Sequence, residues 1–114
     1  MLSFLPAPVR GIIAALLLVL NTLFHAPILF VFALIKLVPI PPLRTWCTRV
    51  MIRIAEFWIS CNSGWMALSG RTRWDIEGLE RLDYNGWYLV TSNHQSWVDI
   101  LALQHVLNRH MPML

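Results

Sequence analysis

The sequence predicts an α/β fold class: a membrane helical hairpin over residues 1–70, then the first strands and helix of an α/β domain over residues 71–114. Three observations predict it. Residues 11–35 contain no Asp, Glu, Lys or Arg. The break "PIPP" separates them from a second helix-like stretch rich in Arg and Trp. Beyond residue 70 the pattern changes to short β-prone runs, a polar loop and one more helical pattern. With 114 residues, 57% of them apolar, the chain holds one small domain at most.

The first helix is expected over residues 9–38. Its uncharged core would be about 38 Å long at 1.5 Å per residue, against a bilayer core of roughly 30 Å. A secretory signal has a shorter apolar region, about 7–15 residues, and a small-residue cleavage site. Here the run is longer and leads into "KLVPIPPLR", so a retained membrane segment is expected. Pro27 predicts a kink or break beside His25 and Ala26. Asn21 and His25 lie four apart and share a helix face. Such a pair marks either a substrate path or a bond to a neighbouring helix, the second being commoner.

After "PIPP" a second helix is expected over residues 43–68. Arg49, Arg53, Glu56, Ser60 and Ser63 fall on one stripe. Val50, Ile54, Phe57, Trp58, Cys61, Trp65 and Leu68 fall on the other. Basic residues and tryptophans on an amphipathic helix suit the bilayer interface. Arg10 precedes the apolar run, whereas Lys36, Arg44, Arg49 and Arg53 follow it. The positive-inside rule therefore puts the C-terminal side in the cytoplasm. The formal charge of +3 is placed at a membrane flank, not in a groove-reading motif, which argues for membrane lipids and against nucleic acid as partner. Cys47 and Cys61 fit no zinc or redox spacing and read as small apolar residues.

"SGRTR" marks the exit from the hairpin. "WDIEG" alternates as a strand does, and Asn85-Gly86 is a turn signal. "WYLVTS" reads as a strand buried on both faces. Residues 97–108 then read as a helix with Ile100, Leu103, Val106 and Leu107 on its apolar face. In α/β folds, sites form at the carboxyl ends of strands, where His94 would lie.

His94 and Asp99 admit two readings. Ser96 can cap the helix, with Asp99 three residues on completing a capping box and favouring the helix dipole. Alternatively, the loop folds back so that Asp99 orients the imidazole and leaves its other nitrogen free as a base. Such a dyad can take a proton from a hydroxyl as it attacks an acyl carbonyl, and a thioester donor would suit.

The stretch "NHQSWVD", residues 93–99, resembles the Asn-His-x4-Asp motif of the glycerolipid acyltransferases, the 1-acyl-sn-glycerol-3-phosphate acyltransferase family. The order of membrane hairpin, "WDIEGLERL" and a strand leading into the His motif is similar too. "WYLVTSNHQSWVDI" and the "RHMPML" end resemble a bacterial subgroup of that family. The resemblance implies His94 as general base and Asp99 as its partner. It implies transfer of an acyl group from acyl-CoA or acyl carrier protein to a lysophospholipid acceptor such as lysophosphatidic acid, at the bacterial inner membrane, with no metal or bound cofactor. The family's later Glu-Gly-Thr-Arg-like and proline-containing motifs are absent, so the chain is expected to be an N-terminal portion, inactive alone. The rival expectation is a non-catalytic membrane anchor or interaction module. His105 and His110 match no motif and are expected on the helix surface.

Overall fold

The structure is a computed structural model that describes residues 4–69 and 72–112. Part of "SGRTR" and the last two residues of "RHMPML" lie outside the described residues.

Helix α1 spans Ala7–Ile35, with proline in its first turn, where a missing N–H costs no helical bond. It runs past Pro27 without the break that is one of the two sequence expectations there. Its apolar side chains point outward: Leu16, Leu20, Leu23, Phe24 and Phe30 are all exposed. Asn21 and His25 point the other way, towards α2. Only 11% of the most apolar window of α1 is buried. One helix among the described residues is thus long and apolar enough to cross a membrane.

Backbone bonds from Leu37 to Leu34 and Val38 to Ile35 close the turn, and the Arg44 Nε–H donates to the Lys36 carbonyl at 3.0 Å. Helix α2, Pro41–Ser69, returns antiparallel to α1. The contacts run in opposite directions: Asn21 meets Trp58 and Asn62, His25 meets Phe57, and Phe32 meets Trp46. The two helices therefore form an antiparallel hairpin. Its seam is narrow, with Cys47, Ala55 and Ile59 as the buried apolar residues and His25, Glu56 and Asn62 as the buried polar ones. The striping of α2 differs from expectation. Arg49 and Arg53 face out, but Glu56 is buried and Phe57 is 58% exposed.

The α/β expectation fails. Beyond α2 the described residues contain a 3-10 turn at Leu79–Arg81, the helix α3 at Trp97–Leu107, and no strand. Residues 74–78 and 87–92, expected as strands, have no ladder. The lone bridge joins Asn108 and Met111. The "WYLVTS" run, expected to be covered on both faces, leaves Trp87 fully exposed and Leu89 92% exposed.

Turn geometry supplies one reason. The Gly86 N–H donates to the Asp83 carbonyl at 2.9 Å, and the Asn85 N–H to Asp83 Oδ1 at 3.0 Å. The turn is thus centred on Tyr84 and Asn85. Among the described residues, positive φ occurs only at Gly78 and Arg109. A two-residue hairpin turn needs positive φ at both central positions (type I′) or at the first (type II′), whereas types I and II splay the flanking runs. The Tyr88 hydroxyl then accepts the Asp83 N–H at 2.6 Å, and its ring lies where a Cβ on Gly86 would sit, 2.5 Å from the hydroxyl. The second run therefore leaves the turn without pairing to the first, and an extended segment without a partner is not a sheet.

Helix α3 packs against α2. It begins where the sequence places it and ends one residue earlier. Asn108 follows it, donating to the Glu56 carbonyl at 3.3 Å and to Ser60 Oγ at 3.0 Å. His105 is half-buried, its ring 4.6 Å from that of Trp74.

Candidate functional site

The loop before α3 and its first turn bring the two predicted site residues together. His94 Nδ1 lies 3.6 Å from Asp99 Oδ2, and both side chains reach solvent. That separation permits electrostatic attraction but exceeds a hydrogen bond. The same carboxylate oxygen accepts the N–H groups of Gln95 at 2.5 Å and Ser96 at 2.7 Å. Ser96 and Asp99 form the reciprocal capping box that the sequence suggests.

These contacts determine the charge at the site. The backbone N–H groups of Ser96 and then Gln95 hold the Asp99 carboxyl below its ordinary value of 3.8, with a smaller contribution from His94. Asp99 is therefore an anion at neutral pH. An imidazole with its Nδ1–H toward that anion presents Nε2 outward as an acceptor. A small closure of the loop would turn the contact into a hydrogen bond. Catalytic hydrogen bonds are often long before substrate binds.

An apolar cavity of about 320 Å³ lies beside the first turn of α3, lined by Ala14, Leu18, Trp65, Met66, Val98 and Leu101 among others. Its volume falls in the roughly 300–1,000 Å³ range of ligand pockets. Val98, in that wall, directly precedes Asp99 in the chain.

Of the other polar residues singled out, Asn21 and His25 bond within the hairpin. Asn21 Nδ2 donates to Asn62 Oδ1 at 2.6 Å and to the Trp58 carbonyl at 3.1 Å. His25 Nδ1 lies 2.9 Å from the Asn21 carbonyl. Cys47 and Cys61 are free thiols, one buried and one half-buried. The sequence reading missed the cluster at Glu56, which it placed on the polar stripe of α2. Glu56 Oε1 accepts the Tyr84 hydroxyl at 2.8 Å, and Oε2 lies 3.6 Å from Arg53. The one signal was an acidic residue alone in a basic, aromatic helix. No protein-family model, curated protein or solved structure matches the chain.

Proposed function

We propose that the chain belongs to a membrane-bound acyltransferase of phospholipid synthesis, attached through the α1–α2 hairpin to the cytoplasmic face of a bacterial inner membrane. The observation that carries this reading is the approach of His94 to Asp99 within "NHQSWVD". His94 Nε2 takes the proton of a lysophosphatidic acid-like hydroxyl. The oxygen attacks the thioester carbonyl of acyl-CoA or acyl carrier protein. The carbon–sulfur bond breaks, and the thiolate leaves with the proton returned by the imidazolium. Asp99 orients the ring and stabilises its charged form. The apolar cavity beside Val98 offers space for part of an acyl chain.

A second reading is favoured by a specific observation: both short bonds to Asp99 Oδ2 come from backbone N–H groups. On that reading the carboxylate is a helix cap, and the chain is a membrane anchor or interaction module. Acyl transfer separates the two. Membranes from cells expressing the gene that encodes this sequence are given labelled acyl-CoA or acyl carrier protein and lysophosphatidic acid, with activity normalised to protein level. On the enzyme reading His94→Ala lowers turnover about 10²–10⁴-fold, the usual loss for a general base. Asp99→Ala leaves more residual activity, because the imidazole remains. Turnover indifferent to His94→Ala, or absence of turnover from the complete gene product, rejects the dyad.

A further inference from the structure

The face of the hairpin formed by Phe24, Ile28, Trp46, Arg49, Arg53 and Phe57, among others, encloses a groove of about 460 Å³ with His25 in its lining. Its chemistry is divided. The walls are aromatic and aliphatic, and Phe24, Trp46 and Phe57 are more than half exposed. Two guanidinium groups, one helical turn apart on α2, stand on the same groove. The Arg53 side chain is 84% exposed and meets Glu56 through one nitrogen at 3.6 Å, leaving further donors outward. The groove has a polar atom as well. His25 is 4% exposed, and its Nδ1 must carry the proton, since its partner is the Asn21 carbonyl. Nε2 is then a buried acceptor with no protein donor. An unpaired buried acceptor is costly, so it indicates a missing donor. The rings of Phe24 and Phe57 flank the imidazole at 5.0 and 5.6 Å, and both are more than half exposed.

From this combination we infer that the α1–α2 groove binds one anionic glycerophospholipid drawn from the bilayer. Its phosphate lies between Arg49 and Arg53, and a headgroup hydroxyl donates to His25 Nε2. An acyl chain lies along Ile28, Val50 and Ile54. Charge complementarity selects the occupant: none of the described residues lining the groove is acidic, and Glu56, which meets Arg53, is buried and also accepts from Tyr84. The groove opens beside the outward apolar face of α1, which supplies a continuous path for the chain of a membrane lipid. This inference does not rest on acyl transfer, since neither His94 nor Asp99 lines the groove.

The 114-residue chain in a neutral detergent is titrated with phosphatidylglycerol, phosphatidylcholine or inorganic phosphate, and adducts are counted by native mass spectrometry. One tightly held phosphatidylglycerol is expected, with phosphatidylcholine weaker and inorganic phosphate not retained. Arg49→Gln with Arg53→Gln should weaken phosphatidylglycerol binding about tenfold or more, the scale of lost charge-assisted bonds. Arg81→Gln removes the same kind of charge from an exposed site away from the groove and should change nothing. His25→Phe keeps an aromatic ring, removes both ring nitrogens and should weaken binding several-fold. Equal binding of the two lipids, or an Arg81→Gln loss as large as the groove variants give, overturns the site. An unaltered affinity in His25→Phe overturns the hydroxyl contact.

Discussion

Asp99 Oδ2 faces two backbone N–H groups and, farther off, His94, and its charge suits a cap and a dyad alike. A helix cap needs the carboxylate to accept N–H bonds, and a dyad needs it to hold an imidazolium. Because Ser96 and Gln95 hold its carboxyl below 3.8, the capping contribution is fully present above the unfolded value. It is lost only as pH falls through the lower folded value. In a detergent micelle, the Ser96 and Gln95 amide resonances should therefore titrate together with a midpoint below 3.8. A midpoint above that value would mean the N–H bonds to Oδ2 are not formed in solution. The motif was legible here: spacing alone placed Ser96, Asp99 and His94 around one helix start. Spacing could not reveal that the backbone N–H groups would hold the carboxylate more closely than the histidine does.

The two long helices were legible because their signals are local: an uncharged run, a proline break and a 3.6-residue period. The strands were misread because pairing is not local. "WYLVTS" has β-forming residues, yet its turn is centred on Tyr84 and Asn85, and the run finds no partner. The inside-out character of α1 also followed from the sequence only in part. Asn21 and His25 shared a face, but their partner on α2 required the structure. A double-mutant cycle on Asn21→Ala and Asn62→Ala tests that join. In a bilayer the coupling should be about 0.6 kcal/mol and no more than about 1.7, because separated helices find other polar partners. Zero coupling in helix-pair stability measurements would remove the 2.6 Å bond from the account. The join between α2 and the following turn is also testable. The hydrogen bond to Glu56, then burial and the charge of Glu56, raise the Tyr84 phenol above 10.0. A raised phenol pKa means the contact is intact below 10.0 and is lost as pH rises through the folded value. Glu56→Gln should bring the Tyr84 ultraviolet titration back toward 10.0, and an unmoved titration would break the link.

At the scale of the whole molecule, the length of α1 permits a crossing, but the charges of α2 limit how the hairpin sits. Arg49 and Arg53 share a groove with His25, well inside α1. If the hairpin stood upright across the bilayer, Arg53 would be drawn into the hydrocarbon, where a charge costs up to about 2.5–3.5 kcal/mol at the centre. With the hairpin tilted into one leaflet, both guanidinium groups stay at headgroup level and the outer face of α1 stays in the acyl chains. Leu16, Leu20, Leu23 and Phe30 then find apolar solvent, and Trp46 lies at the interface where its ring is favoured. Residues 1–70 should thus hold a soluble reporter on membranes through high salt and carbonate, because attachment rests on buried apolar area more than on charge. Recovery of the reporter in the carbonate supernatant would leave only surface adhesion. Depth is read separately. With Cys47 and Cys61 replaced by alanine, Arg53→Cys should react with a membrane-impermeant maleimide from one side of sealed vesicles, while Leu20→Cys stays protected. Protection of Arg53→Cys from both sides would place the arginine in the hydrocarbon, and the upright crossing would replace the tilted one.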